Sequence, residues 1–247
     1  MTTLLSFQYN PENEYEIGVD EAGRGPLFGR LYVAAVIVPI GGFQNPGIKD
    51  SKKIKSKKKM KELSDFIKQK AIAWSIQYIE HDVIDKINIR QAVFQGMHEA
   101  IREVVKKKNI DVFASKTFLL IDGNDFKPYS VFDTTSERLM TLGFETIEGG
   151  DGRFEAIAAA SILAKCARDT YIEELCQTYP ELSQRYQLEK NMGYGTRGHL
   201  AGILEWGVSQ WHRTSYARVR GMPLRAVSCL ETSREEKGAK EGEKGGL

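Results

Sequence analysis

Cysteine and histidine are scarce in this sequence, and their scarcity excludes several kinds of site. Among 247 residues there are four histidines and three cysteines, Cys166, Cys176 and Cys229. The cysteines form no Cys-x-x-Cys pair, and an odd, sparse set argues against a disulfide framework or a zinc site. We therefore expect a protein of the reducing cytoplasm without a soft-metal centre.

Long apolar runs and nucleotide-binding loops are also missing. No stretch is long enough to cross a bilayer, and the first residues show no charged leader before an apolar core, so we expect no membrane anchor and no secretory signal. No Gly-Lys-Ser/Thr phosphate loop is present, which argues against ATP binding of that type. The net charge of +2 does not by itself predict a nucleic-acid partner.

The most informative stretch lies near the N-terminus, where two apolar runs flank a glycine-rich turn. The first run ends in Asp20 and Glu21, and the turn contains Gly23, Arg24 and Gly25. Apolar runs bounded by Gly and Pro predict two strands joined by a tight connection. The backbone N–H groups and the arginine of such a turn can donate to anionic oxygens. A β-hairpin with a charged turn is the simpler alternative, but it does not explain acids that end an apolar strand.

Two further acids follow predicted strands. The strand at 117–121 ends in Asp122, and the strand at 144–148 leads into a glycine-rich turn that contains Asp151. In open α/β sheets, ligands gather at the carboxyl ends of strands. The alternatives are an ordinary Asp-Gly turn at Asp122 and a helix cap at Asp151, because aspartate is a favoured N-cap residue.

If these four acids converge, they need cations, because like charges repel and raise each other's proton affinity. Hard divalent ions such as Mg²⁺ or Mn²⁺ prefer carboxylate oxygens, and two such ions about 4 Å apart can activate a water and stabilise the leaving oxygen of a phosphodiester. Tyr194, flanked by glycines, could stack on a sugar or base, or simply pack within its loop. Acids, basic loops and this tyrosine together favour a nuclease over a kinase.

The order of the predicted elements favours a mixed α/β sheet with helices on its faces. Predicted strands lie at 15–21, 31–40, 73–80, 117–121 and 144–148, and predicted helices at 57–70, 90–108 and 154–177. The basic stretch at 52–61 fits either a phosphate-facing patch or a solvated helix face. We expect a catalytic part over residues 1–178, a helical part over 179–224 and a disordered tail over 225–247, where apolar residues are few.

Several motifs, in order along the chain, resemble ribonuclease HII, the type 2 ribonuclease H family. They lie at 20–26, 49–53, 120–124, 149–151, 157–165 and 193–200, and they cover most of residues 15–216. The Gly-Arg-Gly sequence after the first acids is similar to ribonuclease HII rather than to the related ribonuclease HIII.

The resemblance implies a fold and an activity. The fold is an RNase H-like mixed five-stranded sheet flanked by helices, with a small helical C-terminal part. The activity is metal-dependent hydrolysis of the RNA strand of RNA–DNA hybrids, with incision 5′ of ribonucleotides embedded in duplex DNA, as in ribonucleotide removal and DNA repair. The products carry 3′-hydroxyl and 5′-phosphate ends. The implied cofactor is Mg²⁺ or Mn²⁺, two ions with substrate bound, and we take a monomer as the default.

The resemblance also implies roles for residues at matching positions. The catalytic, metal-binding acids are Asp20, Glu21, Asp122 and Asp151. The residues implied in substrate binding are Gly23, Arg24 and Gly25, which sense the ribose 2′-hydroxyl, Tyr194, which packs on the junction sugar, and Asp50, Ser51 and Lys52 near the substrate backbone. A general nuclease of this fold and a silent hybrid-binding protein are the rival hypotheses.

Overall fold

The computed structural model describes residues 5–134 and 136–227. Within them the strands are Tyr15–Ala22 (β1), Leu31–Ile37 (β2), Ala73–Ile79 (β3), Thr117–Asp122 (β4), Ser130–Asp133 (β5), Arg138–Thr141 (β6) and Gly143–Ile147 (β7). The helices are Lys57–Lys70 (α1), His81–Ile87 (α2), Ile89–Lys108 (α3), Glu155–Thr178 (α4), Glu181–Tyr186 (α5), Leu188–Asn191 (α6) and Arg197–Trp206 (α7). Short 3₁₀ turns occupy Ser51–Lys53 and Gly150–Gly152.

Five strands form one mixed sheet in the order β3-β2-β1-β4-β7. β1, β4 and β7 run parallel, whereas β2 is antiparallel to both β1 and β3. The predicted fold class, a mixed five-stranded sheet flanked by helices, is confirmed. No helix in the described part of the chain is both long and apolar enough to span a membrane.

The two faces of the sheet are covered by different helices because side chains alternate along each strand. Ile17 and Val19 of β1 point into a core shared with α3, whereas Ala34 and Val36 of β2 pack with α1 and α4. Helix α4 approaches β1 so closely that a Cβ on Gly18 would lie 2.2 Å from the backbone of α4. Glycine at this position therefore permits the contact between α4 and the central strand.

Helix boundaries follow the capping residues in the sequence. Ser56 precedes α1, and its side chain accepts a hydrogen bond from the Lys59 N–H at 3.3 Å. Asn88 caps α3 in the same way, through bonds from two N–H groups of the first turn. Side-chain oxygens at these positions satisfy donors that have no partner inside the helix.

Two features differ from the sequence-based expectation. β2 ends at Ile37 rather than at residue 40, because Pro39 has no N–H group to donate to a neighbouring strand. The hairpin of β5 and β6 was not expected from the sequence, and it pairs Phe132 with Leu139, both largely exposed. Its strands bury little apolar surface, so they carry no clear alternating pattern.

The C-terminal part contains α5, α6 and α7, followed by an irregular segment at 207–227 that we call the C-terminal segment. Its apolar residues share one cluster with side chains of the catalytic part, among them Leu27, Phe28 and Ile172. The division at residue 178 stays a prediction. Most of the predicted tail, residues 228–247, lies outside the described residues.

Candidate active site

The acidic residues lie at one edge of the sheet because three parallel strands end there. In the pairing of β1 with β4, Val19 stands beside Ile121, so Asp20 and Asp122 follow as neighbours one residue later. β7 lies on the other side of β4 and leads into the 3₁₀ turn that contains Asp151. The structure therefore brings together acids from three separate parts of the sequence.

Asp20 is buried and faces helix α4. The hydroxyl of Ser161 on α4 is near enough to Asp20 to lower the pKa of its carboxyl, and it lies 2.9 Å from the hydroxyl of Ser51. The Glu21 N–H donates to Asp20 Oδ1 at 2.7 Å. Burial raises the pKa of Asp20 well above its ordinary value, and the charges of Glu21 and Asp122 raise it further. The charged form of Asp20 is thus disfavoured in the cluster, and a nearby cation would stabilise it.

Glu21 belongs to the same group of charges. Burial raises the pKa of its carboxyl, while the charge of Arg24 opposes the shift and that of Asp122 adds to it. The Arg24 guanidinium lies 3.8 Å from Glu21 Oε1, although the arginine side chain is half exposed. Arg24 therefore places a positive charge at the rim of the acidic cluster.

Asp151 is buried within the 3₁₀ turn Gly150–Gly152 and does not cap a helix. Phe154 occupies the N-cap position of α4, and no side chain forms a cap hydrogen bond there. The neighbouring Gly150 N–H donates to Asp122 Oδ1 at 2.8 Å, which ties the turn to β4. Asp151 Oδ2 accepts no hydrogen bond from the described residues, and Lys52 Nζ lies 3.9 Å from it.

The carboxylates fit a divalent cation. Their oxygens are the hard ligands that Mg²⁺ and Mn²⁺ prefer, and the buried Asp151 Oδ2 is left with unused acceptor capacity. Within residues 5–134 and 136–227, no three aspartate, glutamate, histidine or cysteine side chains lie together in a group that could by itself hold a metal ion. Mg²⁺ does not need such a group, because it retains several waters and binds through one or two carboxylates together with substrate phosphates.

The segment with Asp50, Ser51 and Lys52 lies against the acids. The Asp50 side chain accepts a hydrogen bond from the Lys52 N–H at 2.9 Å and caps the 3₁₀ turn. Burial raises the pKa of Asp151, and the charge of Asp50 raises it further while that of Lys52 lowers it. Lys52 is 81% exposed, so its ammonium group is available at the edge of the site.

Gly25 and Tyr194 form a second group, and Gly25 directly follows the Arg24 that lies near Glu21. A Cβ placed on Gly25 would lie 3.6 Å from the ring of Tyr194, which is 49% exposed. The two segments are joined by the Leu27 N–H, which donates to the carbonyl of Gly193 at 2.9 Å. The structure therefore places the Gly-Arg-Gly turn and the exposed tyrosine next to each other.

Two charged residues close in sequence to the site residues, Asp125 and Lys165, form ion pairs with other side chains. Asp125 accepts hydrogen bonds from Arg90 at 2.6 and 2.9 Å, whereas Asp122 bonds to the Gly150 turn. This favours Asp122 over Asp125 as the acid of the cluster. Lys165, one turn after Ser161 on α4, pairs with Asp169 at 2.7 Å.

Arg168 is a member of this region that the sequence analysis missed. It is buried, and its guanidinium donates to the carbonyl of Met192 at 2.8 Å and lies 5.9 Å from the centre of the Tyr194 ring. A Cβ on Gly23 would collide with it at 2.4 Å. Burial lowers the pKa of Arg168 to about 10, so the group stays charged at neutral pH. A lone arginine within a helix of small residues was the available signal.

Comparison with known proteins gives the same family along most of the chain. The family model described as Ribonuclease HII matches residues 17–219. Ribonuclease HII from Oceanobacillus iheyensis is 40% identical over 217 residues, which are 88% of this chain and 74% of that protein. Ribonuclease HII from Parabacteroides distasonis is 39% identical over 208 residues, 84% of this chain and 92% of the relative.

Solved structures agree on the fold. The crystal structure of ribonuclease H2 from Pyrococcus horikoshii OT3 has a TM-score of 0.62 at 20% identity and covers 83% of this chain and 95% of its own. The crystal structure of Bst-RNase HIII in complex with Mn²⁺ has a TM-score of 0.55 at 17% identity, covering 85% of this chain and 69% of its own. With the family match over residues 17–219, these findings show that the chain belongs to the ribonuclease HII family.

Proposed function

We propose that this ribonuclease H, which hydrolyses the RNA strand of RNA–DNA hybrids, also incises 5′ of ribonucleotides embedded in duplex DNA. The observation that carries the proposal is that Arg24, which lies 3.8 Å from Glu21 at the end of β1, directly precedes Gly25, whose Cβ position lies 3.6 Å from the Tyr194 ring. One group of residues would read the sugar of a ribonucleotide while the other holds the phosphate to be cut. The products would carry 3′-hydroxyl and 5′-phosphate ends.

In this proposal Asp20, Glu21, Asp122 and Asp151 are the metal-binding acids. The family is dependent on divalent metal, and Mg²⁺ or Mn²⁺ suits four carboxylates best. When bound, two such ions supply the positive charge that activates a water and stabilises the leaving oxygen of the phosphodiester. Ser161 would hold the Asp20 carboxylate in place, and Lys52 would add a positive charge next to the scissile phosphate.

Recognition of the ribonucleotide would come from Gly23, Arg24, Gly25 and Tyr194. The ribose 2′-hydroxyl is the group that distinguishes RNA from DNA, and backbone N–H groups of an exposed turn can hydrogen-bond to it. Tyr194 exposes half of its surface directly beside Gly25, which leaves a ring face for the sugar. Asp50, Ser51 and Lys52 would lie along the substrate backbone. We further propose that the protein acts as a monomer in the cytoplasm.

A labelled DNA duplex that contains one ribonucleotide tests the substrate directly. We expect a single cut 5′ of the ribonucleotide with Mg²⁺ or Mn²⁺ and none with chelator. If the protein cleaves a long RNA–DNA hybrid but does not make this cut, it is a ribonuclease H, and the proposed recognition of single ribonucleotides is contradicted. Equal cleavage of an all-DNA duplex would indicate a general nuclease, and binding without any cleavage would indicate a hybrid-binding protein.

The acids are tested by Asp122→Asn with Asp125→Asn as the matched control. Losing the charge of Asp122 removes a metal-binding oxygen anion, so we expect turnover to fall at least about 100-fold while hybrid binding changes little. Asp125 pairs with Arg90 and should tolerate the same change. Full turnover by the Asp122→Asn protein would contradict the assignment of this residue.

A further inference from the structure

A buried arginine of the C-terminal segment donates hydrogen bonds to the backbone of the β1–β2 connection, which contains the Gly-Arg-Gly turn. Arg213 is fully buried, and its Nη1 donates to the carbonyls of Pro26 at 3.0 Å and Arg24 at 3.3 Å. Its Nε donates to the carbonyl of Gly29 at 2.9 Å. Three carbonyls of one turn thus converge on a single guanidinium, whose donors lie in a fixed plane.

Tyr216 completes this support. Its hydroxyl donates to the carbonyl of Arg24 at 2.8 Å and accepts a hydrogen bond from Arg213 Nη1 at 3.0 Å. The Arg24 carbonyl therefore receives two donors from the C-terminal segment. This is the carbonyl of the peptide that joins Arg24 to Gly25, at the centre of the turn.

The direction of that carbonyl determines where the Gly25 N–H points. In a trans peptide the C=O and N–H groups lie in one plane and point in opposite directions, and the described residues contain no cis peptide. Because the Arg24 carbonyl faces Arg213 and Tyr216, the Gly25 N–H faces away from the C-terminal segment. Gly25 is an exposed residue, and its Cβ position lies 3.6 Å from the ring of Tyr194.

The peptide group between Pro26 and Leu27 is oriented in the same way. The Pro26 carbonyl faces Arg213, and the N–H of the following Leu27 points the opposite way and donates to Gly193 at 2.9 Å. Gly193 immediately precedes Tyr194 in the chain. The turn is therefore hydrogen-bonded to the C-terminal segment on one side and to Gly193, next to Tyr194, on the other.

We propose that Arg213 and Tyr216 are positioning residues for ribonucleotide recognition: by binding the carbonyls of the Gly-Arg-Gly turn, they aim the Gly25 N–H at the ribose 2′-hydroxyl. The inference rests on the proposed reading of the ribonucleotide by this turn. In this proposal both side chains act through the backbone of the turn and not by contact with the substrate. Their effect is to keep one backbone donor in a single orientation, which favours a sugar that carries a 2′-hydroxyl.

The test measures binding selectivity, which loss of folding alone would not change. In an Asp122→Asn background, which prevents turnover, the dissociation constant is measured for a duplex with one ribonucleotide and for the all-DNA duplex of the same sequence. Tyr216→Phe removes the hydroxyl that fixes the Arg24 carbonyl and keeps the ring. We expect the preference for the ribonucleotide to fall roughly three- to tenfold, with affinity for the all-DNA duplex unchanged.

Tyr179→Phe is the matched control, because Tyr179 packs on Trp211 in the same apolar cluster. Its preference should equal that of the parent. Arg213→Lys keeps the charge but cannot reach several carbonyls in one plane, so it should lower the preference at least as much as Tyr216→Phe if it folds.

Three results would overturn the inference. The first is an unchanged preference in the Tyr216→Phe protein, and the second is equal weakening of binding to both duplexes. The third is a parent protein that does not distinguish the duplexes at all, which would also contradict ribonucleotide recognition by the turn. Because the third result is seen before Tyr216 is changed, it separates the failure of the proposed function from the failure of this inference.

Discussion

At the scale of single residues, two buried histidines form a chain of hydrogen bonds that ends at Tyr194. The Ser209 N–H donates to His212 Nδ1 at 2.9 Å, so the proton of a neutral His212 ring lies on Nε2. That nitrogen is 3.0 Å from His199 Nε2, and His199 Nδ1 is 3.0 Å from the Tyr194 carbonyl. The chain is complete only when both rings are neutral, since a protonated ring has no acceptor.

This chain predicts a dependence of stability on pH. Burial, followed by the charge of His199, lowers the pKa of His212 from 6.5 to about 3. Between these values the unfolded chain binds a proton that the folded chain does not, so stability falls as the pH falls. In the His212→Gln protein this contribution is absent. We expect the His212→Gln protein to be less stable than the unchanged protein at about pH 7. The difference between their free energies of unfolding should then decrease by ~1 kcal/mol when the pH is lowered to about 5.5.

Urea unfolding of both proteins at each pH measures this difference. The comparison cancels the contribution of the acids, whose raised pKa values act in the opposite direction. A constant deficit across the pH range would show that His212 titrates alike in the folded and unfolded chains.

At the scale of elements, helix α2 anchors the C-terminal segment through one carboxylate. Asp85 accepts four hydrogen bonds, from the N–H and hydroxyl groups of Thr214 and Ser215, at 2.6 to 3.0 Å. Burial raises the pKa of Asp85, but these hydrogen bonds outweigh burial and hold it below its ordinary value. Because Arg213 directly precedes these residues, the anchor also secures the arginine behind the Gly-Arg-Gly turn.

Removing this anchor should loosen the C-terminal segment. Hydrogen bonds to a charged acceptor contribute more than neutral ones, so Asp85→Ala should increase the rate of trypsin cleavage after Arg218 or Arg220 roughly tenfold. Asp82→Ala is the control, because Asp82 lies on the same helix and pairs with Lys86 on the surface. Mass spectrometry of the fragments identifies the cleaved bonds. Equal cleavage of the two variants would contradict a special role for Asp85.

At the scale of the whole molecule, the catalytic and C-terminal parts share a hydrophobic core. The cluster that contains Leu182, Tyr186 and Ile203 of the C-terminal part also contains Phe28 and Ile172 of the catalytic part. Burial of this shared surface is a stabilising contribution that neither part retains alone. The shared core therefore holds the two parts together as one folded body, although their predicted roles differ.

We expect the full chain to unfold in a single cooperative transition. A chain that ends at residue 178 would expose Phe28 and Ile172 to water, so it should lose the cooperative transition or aggregate. Calorimetry of both chains tests this expectation, with near-ultraviolet circular dichroism as the second measurement. Two separate transitions in the full chain, or a native-like transition in the short chain, would favour independent domains.

Much of the fold could be predicted from local pattern. The strands of the main sheet and helices α1, α3 and α4 were expected within a few residues, because alternation, helical spacing and capping residues are properties of neighbouring positions. The hairpin of β5 and β6 was missed because it buries little and has no such pattern. The end of β2 was misjudged by three residues because an apolar run continued past the last paired position.

The sequence by itself determined the order of the elements and the acids at the ends of strands, since both depend on residues close together in the chain. Only the tertiary structure decided that Asp20 faces Ser161, that Arg168 lies under Tyr194 and that Arg213 supports the Gly-Arg-Gly turn. Arg213 and Arg24 are 189 residues apart. Such a contact leaves no periodic trace in the sequence, because it arises when long-range packing buries a charged group and obliges it to find acceptors.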